Sequence, residues 1–107
     1  QPDILFVGVS RYHLIEKNCI AGSPDIVVEI WSPGNTKAER KRKHDLYQSK
    51  AVTEYWQIEP TQKEVLVKTL NKYGKYEVFS EAKASGTVKS SVLEGFELDL
   101  KQLFGAL

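Results

Sequence analysis

The sequence predicts one small mixed α/β domain: a mixed β-sheet built on a βαβ-like unit, with antiparallel hairpin strands and flanking helices. Three observations carry this. Ile26-Val27-Val28-Glu29-Ile30-Trp31 is an almost continuous apolar run, opened by Gly22-Ser23-Pro24 and closed by Ser32-Pro33-Gly34, the pattern of a central strand buried on both faces. Residues 36–48 are good helix formers and lead into a β-branched, aromatic run at 52–58. Strand, helix and strand in that order favour parallel pairing. After Pro60 the pattern changes to short apolar–polar alternations separated by turn residues, the mark of antiparallel hairpins.

Composition bounds the reading. The chain has 107 residues, 41% hydrophobic and 27% charged. That suits one domain, which at this size buries roughly two thirds of its unfolded surface. The net charge of +1 commits the chain neither to nucleic acid nor to a membrane, so any preference must come from local clustering. The single Cys19 excludes an internal disulfide and fits a reducing cytoplasm. No apolar run approaches the ~20 residues that span a bilayer, and no signal peptide is visible, so a cytoplasmic protein without a membrane partner is expected. The chain opens on Gln1 straight into an apolar run and contains no Met. We expect residues upstream of it, with a processed natural product as the other reading.

The elements follow in order. Ile4-Leu5-Phe6-Val7 is a short strand headed by Asp3. Residues 8–23 are mixed and polar and read as a loop, with a helical turn around Tyr12 to Ile15; His13, a histidine without a ligand-spaced partner, reads as a surface residue. The central strand spans about 25–31. Asn35 or Thr36 can cap the helix that follows. This helix is lopsidedly basic, with Lys37, Arg40, Lys41, Arg42 and Lys43 against Glu39 and Asp45. A charge run usually marks a solvated face, and it can also face phosphate. Lys43 lies three and four residues before Leu46 and Tyr47, so it is rooted on the helix face those two press into the core. Strands are then expected at 52–58, 64–70, 75–80 and 87–90, with turns at 61–63 and 71–74. A short amphipathic helix at 98–104 has Asp99 in its first turn. Trp31, Tyr47, Tyr55 and Trp56 are expected in the core.

One acid interrupts the central run. Burying the Glu29 carboxylate costs several kcal/mol, on the order of the buried-charge penalty, unless a cation or hydrogen bonds compensate. Glu29 is therefore either a tightly paired structural acid or a metal ligand. Phosphodiester hydrolysis needs a divalent metal to neutralise an anionic group and activate water. Hard cations take carboxylate oxygens, and a nearby lysine can position water or stabilise developing charge. Asp3 at one strand, Glu29 inside the next and Lys43 on the following helix supply that kit. Asp25 lies an even number of residues before Glu29 and so shares its strand face. As bare spacing the pattern is weak, because many small α/β proteins carry an Asp, a Glu and a Lys so placed.

Several segments, in order, are more specific: Gln1-Pro2-Asp3-Ile4-Leu5-Phe6-Val7, Gly22 to Pro33, Lys43-His44-Asp45-Leu46-Tyr47, Val52 to Pro60, and Leu93 to Phe104. Together they closely resemble the Uma-two family of bacterial proteins. That family was long described as a domain of unknown function and is assigned to the PD-(D/E)XK restriction-endonuclease-like superfamily. The resemblance covers nearly the whole chain. It implies a restriction-endonuclease-like mixed sheet and a DNA endonuclease dependent on Mg²⁺ or Mn²⁺. By position, Asp3 and Glu29 match the metal-binding acids. The lysine commonly found two residues after the second acid would fall at Trp31; Lys43 on the next helix matches instead. Asp25 matches a further family acid and takes a supporting role. Lys37, Arg40, Lys41 and Arg42 become candidate DNA-phosphate contacts, with a solvated helix face as the alternative.

Family members carry a further N-terminal segment, so residues 1–107 are expected to form the C-terminal part of a longer domain. The fragment is then inactive, has its segment in disorder, or completes itself as a homodimer. Two function classes stay open: a metal-dependent DNA nuclease, and a catalytically inactive nuclease-fold domain used for binding or assembly.

Overall fold

β-Branched and aromatic residues concentrate where the strands form, and turn residues separate them. The computed structural model describes residues 4–6, 15–16, 19–20 and 24–105. The strands are β1 (Ile4–Phe6), β2 (Ile15–Glu16), β3 (Cys19–Ile20), β4 (Ile26–Ile30), β5 (Glu54–Glu59), β6 (Glu64–Leu70), β7 (Tyr76–Lys83), β8 (Thr87–Lys89) and β9 (Glu97–Asp99). The helices are α1 (Lys37–Ser49) and α2 (Leu100–Gly105). Five strands form one mixed sheet in the order β1-β4-β5-β6-β7. Only the β4–β5 pair within it is parallel, and α1 makes the crossover between those two strands. No described helix is long and apolar enough to cross a membrane.

The sheet separates two apolar layers, and the period-2 alternation of each strand decides which side chain joins which. On one face Ile26, Trp56, Ile58, Val65 and Val67 pack with Val88 of β8 and Leu100 of α2. On the other, Val27, Trp31 and Tyr55 pack with Val52 and with Tyr47 of α1. Trp31, Tyr47, Tyr55 and Trp56 are all buried, as expected of core aromatics.

The position of α1 is fixed at its start. Thr36 is the N-cap: its hydroxyl accepts the Glu39 N–H at 3.0 Å, and the Glu39 carboxylate accepts the Thr36 N–H at 3.3 Å. This reciprocal pair satisfies two of the donors that a helix start leaves open. It sets the phase of the helix, so that Tyr47 turns toward the sheet. At the β6–β7 turn, Asn71 Oδ1 accepts N–H groups from Tyr73 and Lys75, and Gly74 takes φ +74, a conformation that costs glycine little.

Four sequence expectations need correction. Residues 15–16 and 19–20, expected within a loop, form a two-stranded antiparallel pair; the rest of the expected turn, Tyr12 to Leu14, lies outside the described residues. Asp99 belongs to β9, paired with Thr87, rather than to the first turn of α2. Glu97-Leu98-Asp99 alternates polar and apolar, and that period won over the helical one. Leu46 is 41% exposed: successive helical residues diverge by about 100°, so Leu46 cannot share the inward direction of Tyr47. Burial of the central strand on both faces holds at Ile26 and Val27, while Ile30 is 45% exposed.

Candidate functional site

The parallel register sets Glu29 beside Gln57 on the face that carries Val27, Trp31 and Tyr55. Helix α1 lies over this face. Lys43 and Tyr47 are four residues apart and therefore project from one side of it. Both reach the same atom. Lys43 Nζ stands 3.3 Å from Glu29 Oε2, and the Tyr47 hydroxyl donates a short hydrogen bond to that oxygen. The Lys43 ammonium also lies 6.0 Å from the centre of the Tyr47 ring. Glu29 is 4% exposed.

This answers the desolvation problem for half of the carboxylate. An ammonium and a hydroxyl supply Oε2 with charge and hydrogen bonding, as burial of an ionised acid requires. Oε1 has no hydrogen-bonding partner among the described residues. For Lys43, burial works to lower the pKa, but contacts that include the Glu29 carboxylate more than offset it and hold the ammonium above its ordinary value. Lys43 is therefore a cation at neutral pH.

Polar atoms without partners gather on the same face. The Tyr55 hydroxyl, Gln57 Oε1 and Trp31 Nε1 are buried and make no hydrogen bond. Burial first, and then the charge of Glu29, push the Tyr55 phenol well above its usual range, so it remains a neutral hydroxyl. Buried polar atoms are nearly always satisfied, and several orphans on one face mark a place where a polar group from outside the chain fits. Oε1 of Glu29 and the Gln57 and Tyr55 oxygens are hard donors, which suit Mg²⁺ or Mn²⁺ rather than a soft metal.

The other sequence candidates fall in different places. Asp3 and His13 lie outside the described residues. Among the described residues no three His, Cys, Asp or Glu side chains converge. Asp25 is half-buried just before β4, and its carbonyl accepts the Glu54 N–H at 3.0 Å. Lys37 and Arg42 are exposed. Arg40 is engaged: its guanidinium pairs with Glu59, donates to the Ser32 carbonyl at 3.1 Å, and lies 5.5 Å from the centre of the Trp31 ring. Lys41 pairs with Asp45 at 2.6 Å along the helix.

A second buried acid escaped the sequence reading. Glu54 is fully buried on the opposite face. One oxygen accepts the Ser91 and Val92 N–H groups at 2.6 and 3.1 Å. The other accepts Trp56 Nε1 at 2.8 Å and the Ser90 hydroxyl at 2.6 Å. Both oxygens are saturated, which makes Glu54 an anchor for the loop after β8. Glu29, by contrast, has one oxygen left over. Strand parity with Trp56 and Ile58 marks the face of Glu54 but not its partners.

The Tyr47 hydroxyl is testable alone. Tyr47→Phe is expected to lower stability by about 1.5–3 kcal/mol, the range for a hydrogen bond to a charged group. A urea midpoint that falls at constant m-value would show it; a change below roughly 0.5 kcal/mol would mean that the hydroxyl does not brace Glu29.

The model of the Uma2 family, described as "Putative restriction endonuclease", matches residues 1–101. A solved structure described as "a putative nuclease belonging to DUF820 from Anabaena variabilis ATCC 29413" is similar, with a TM-score of 0.74 and 25% identity. The similarity covers 97% of this chain and 59% of that one, so the chain spans somewhat under two thirds of that protein's length. No curated protein matches.

Proposed function

The chain belongs to the Uma2 family, and we propose that it carries the metal-binding glutamate and the lysine of a nuclease that hydrolyses DNA phosphodiester bonds with Mg²⁺ or Mn²⁺. One observation carries this reading: a buried carboxylate is braced through one oxygen by an ammonium and a hydroxyl, and its other oxygen has no hydrogen-bonding partner among the described residues. A purely structural acid in the same fold, Glu54, has both oxygens filled. The descriptions of the family and of the similar Anabaena variabilis protein point to the same chemistry.

In this reading Glu29 Oε1 and the carboxylate of Asp3 hold the cation. When bound, the cation supplies charge neutralisation and activation of water. The residues of the chain do the rest. Tyr47 and Lys43 fix the rotamer of Glu29, so that Oε1 is presented without reorganisation. The Lys43 ammonium, close to the same carboxylate, orients the attacking water or meets the negative charge that develops on the phosphoryl oxygens. Such charge stabilisation is worth most where water is excluded.

Lys43→Ala separates these roles. Cleavage of plasmid or oligonucleotide DNA is expected to fall by about 10²–10³-fold, the scale for removing one charge-stabilising group. Affinity for Mn²⁺, read by titration calorimetry, should change by only a few-fold, because Tyr47 still holds Glu29. Persistent cleavage would remove Lys43 from the mechanism. Absence of Mn²⁺ binding by the unmodified protein would remove the metal site itself.

A further inference from the structure

Beside the Glu29 face runs a cleft of about 360 Å³, lined by Arg40, Lys41, His44 and Asp45 of α1, Gln57 of β5 and Lys68 of β6. Two of its cations are already matched: Arg40 with Glu59, and Lys41 with Asp45. Lys68 differs. It is half-buried, burial draws its pKa down, and it has no carboxylate partner among the described residues. A partly desolvated ammonium without a counter-charge is costly, and an anion from outside the chain would relieve that cost. The backbone next to it is irregular as well. The β6–β7 register shifts between Val67 and Lys68, leaving Phe79 unpaired. Such bulges re-aim a side chain and recur beside functional sites.

We propose that this cleft is a phosphate-binding subsite in which Lys68 holds a phosphodiester of the nucleic-acid strand flanking the one at Glu29. The proposal rests on the nuclease reading and adds where the strand runs. Gln57 pairs with Glu29 on one side, and Tyr55 pairs with Lys68 on the other. Lys68 is therefore two strands across and two residues along from Glu29, about 12 Å at the usual strand spacings. Phosphates advance about 3.4 Å per nucleotide along a duplex, so a strand entering the cleft beside α1 places a second phosphate at Lys68 within a few nucleotides of the one at Glu29. The path runs beside α1 and not between it and the sheet, where Val27, Trp31, Tyr47, Val52 and Tyr55 are packed. The exposed Lys37 and Arg42 do not line it.

The test uses the whole chain without added metal, so that no cleavage intervenes. Anisotropy of a labelled DNA oligonucleotide is followed against salt for the unmodified protein, Lys68→Gln and Lys101→Gln. Lys101 is an exposed lysine on α2, so its variant makes the same charge change away from the cleft. Lys68→Gln is expected to weaken binding several-fold and to reduce the slope of log K against log salt by about 0.7 for a single strand or 0.9 for a duplex, one phosphate contact. Lys101→Gln should leave both nearly unchanged. Equal effects of the two variants, or no oligonucleotide binding by the unmodified protein, overturn the subsite. Binding of inorganic phosphate that depends on Lys68, without oligonucleotide binding, would assign the cleft to a free phosphate and also overturn it. A Mn²⁺ titration keeps the two readings apart. If Mn²⁺ binds and Lys68→Gln has no effect, only the subsite fails. If oligonucleotide binding depends on Lys68 but no Mn²⁺ binds, only the metal-nuclease reading fails.

Discussion

In Glu29→Gln, saturable Mn²⁺ binding is expected to disappear from calorimetry, and DNA cleavage to fall to background, while the domain stays folded. The substitution is nearly isosteric. Its amide oxygen can still accept from the Tyr47 hydroxyl and from Lys43, which now serve Glu29 Oε2, so the packing of α1 against the sheet survives. What is lost is the negative charge that a hard cation requires. Residues that merely support metal ligands cost 10–100-fold in affinity when changed, and removal of a ligand should exceed about 100-fold. Glu29→Ala is the less informative variant. It leaves Lys43 and Tyr47 facing a void, and breaking a buried ion pair costs about 3–5 kcal/mol, so lost activity would be confounded with lost fold. A thermal shift gives an independent readout. At Mn²⁺ concentrations near 100 times its dissociation constant, the unmodified protein gains about 2.7 kcal/mol from binding, and Glu29→Gln should gain none. Undiminished Mn²⁺ binding in that variant would mean that the carboxylate is only structural.

The difference between what the residues announced and what they hid has a physical origin. Glu29 stood out because it breaks an apolar run, and burial of such a run can be read from sequence alone. Lys43 could be placed because Tyr47, four residues on, had to face the core, and helical geometry carries the lysine with it. The parallel β4–β5 pair followed from the helix between two strands. Lys68 gave no such signal. It sits in an ordinary alternating strand, and its setting depends on a register shift against β7 that arises from two strands together. The pair at 15–16 and 19–20 was hidden by strands of only two residues each, too short for any period to show. Glu54 was overlooked for another reason. Its partners at 90–92 lie 36–38 residues away in sequence, and no local pattern reports a pairing over that separation.

Glu54→Ala is expected to be the most destabilising single change on the sheet face opposite Glu29. Four donors converge on this carboxylate: two backbone N–H groups, an indole N–H and a hydroxyl. Truncation removes the acceptor of all four, two of them in fully buried bonds, and each buried unsatisfied group costs about 1–3 kcal/mol. At about 2 kcal/mol for each of those two, the loss is about 4 kcal/mol, a large share of the 5–15 kcal/mol that holds a domain together. The melting temperature should then fall by roughly 15 °C or more, at about 4–8 °C per kcal/mol in a chain of this size. The loss should also be spatially defined. Ser90 Oγ accepts the Leu93 N–H at 2.9 Å while donating to Glu54, so the loop from Ser90 to Leu93 loses its tether and its amides should exchange first. Glu64→Gln, an exposed acid on β6, should stay within about 0.5 kcal/mol. Metal binding supplies the contrast with Glu29. Under conditions where Glu54→Gln remains folded, its Mn²⁺ affinity should match that of the unmodified protein, because Glu54 and Glu29 face opposite layers of the sheet. A stability loss below about 1 kcal/mol for Glu54→Ala would mean that the loop carries its own order. In that case saturation of both oxygens would no longer separate the structural acid from the one left open for a ligand.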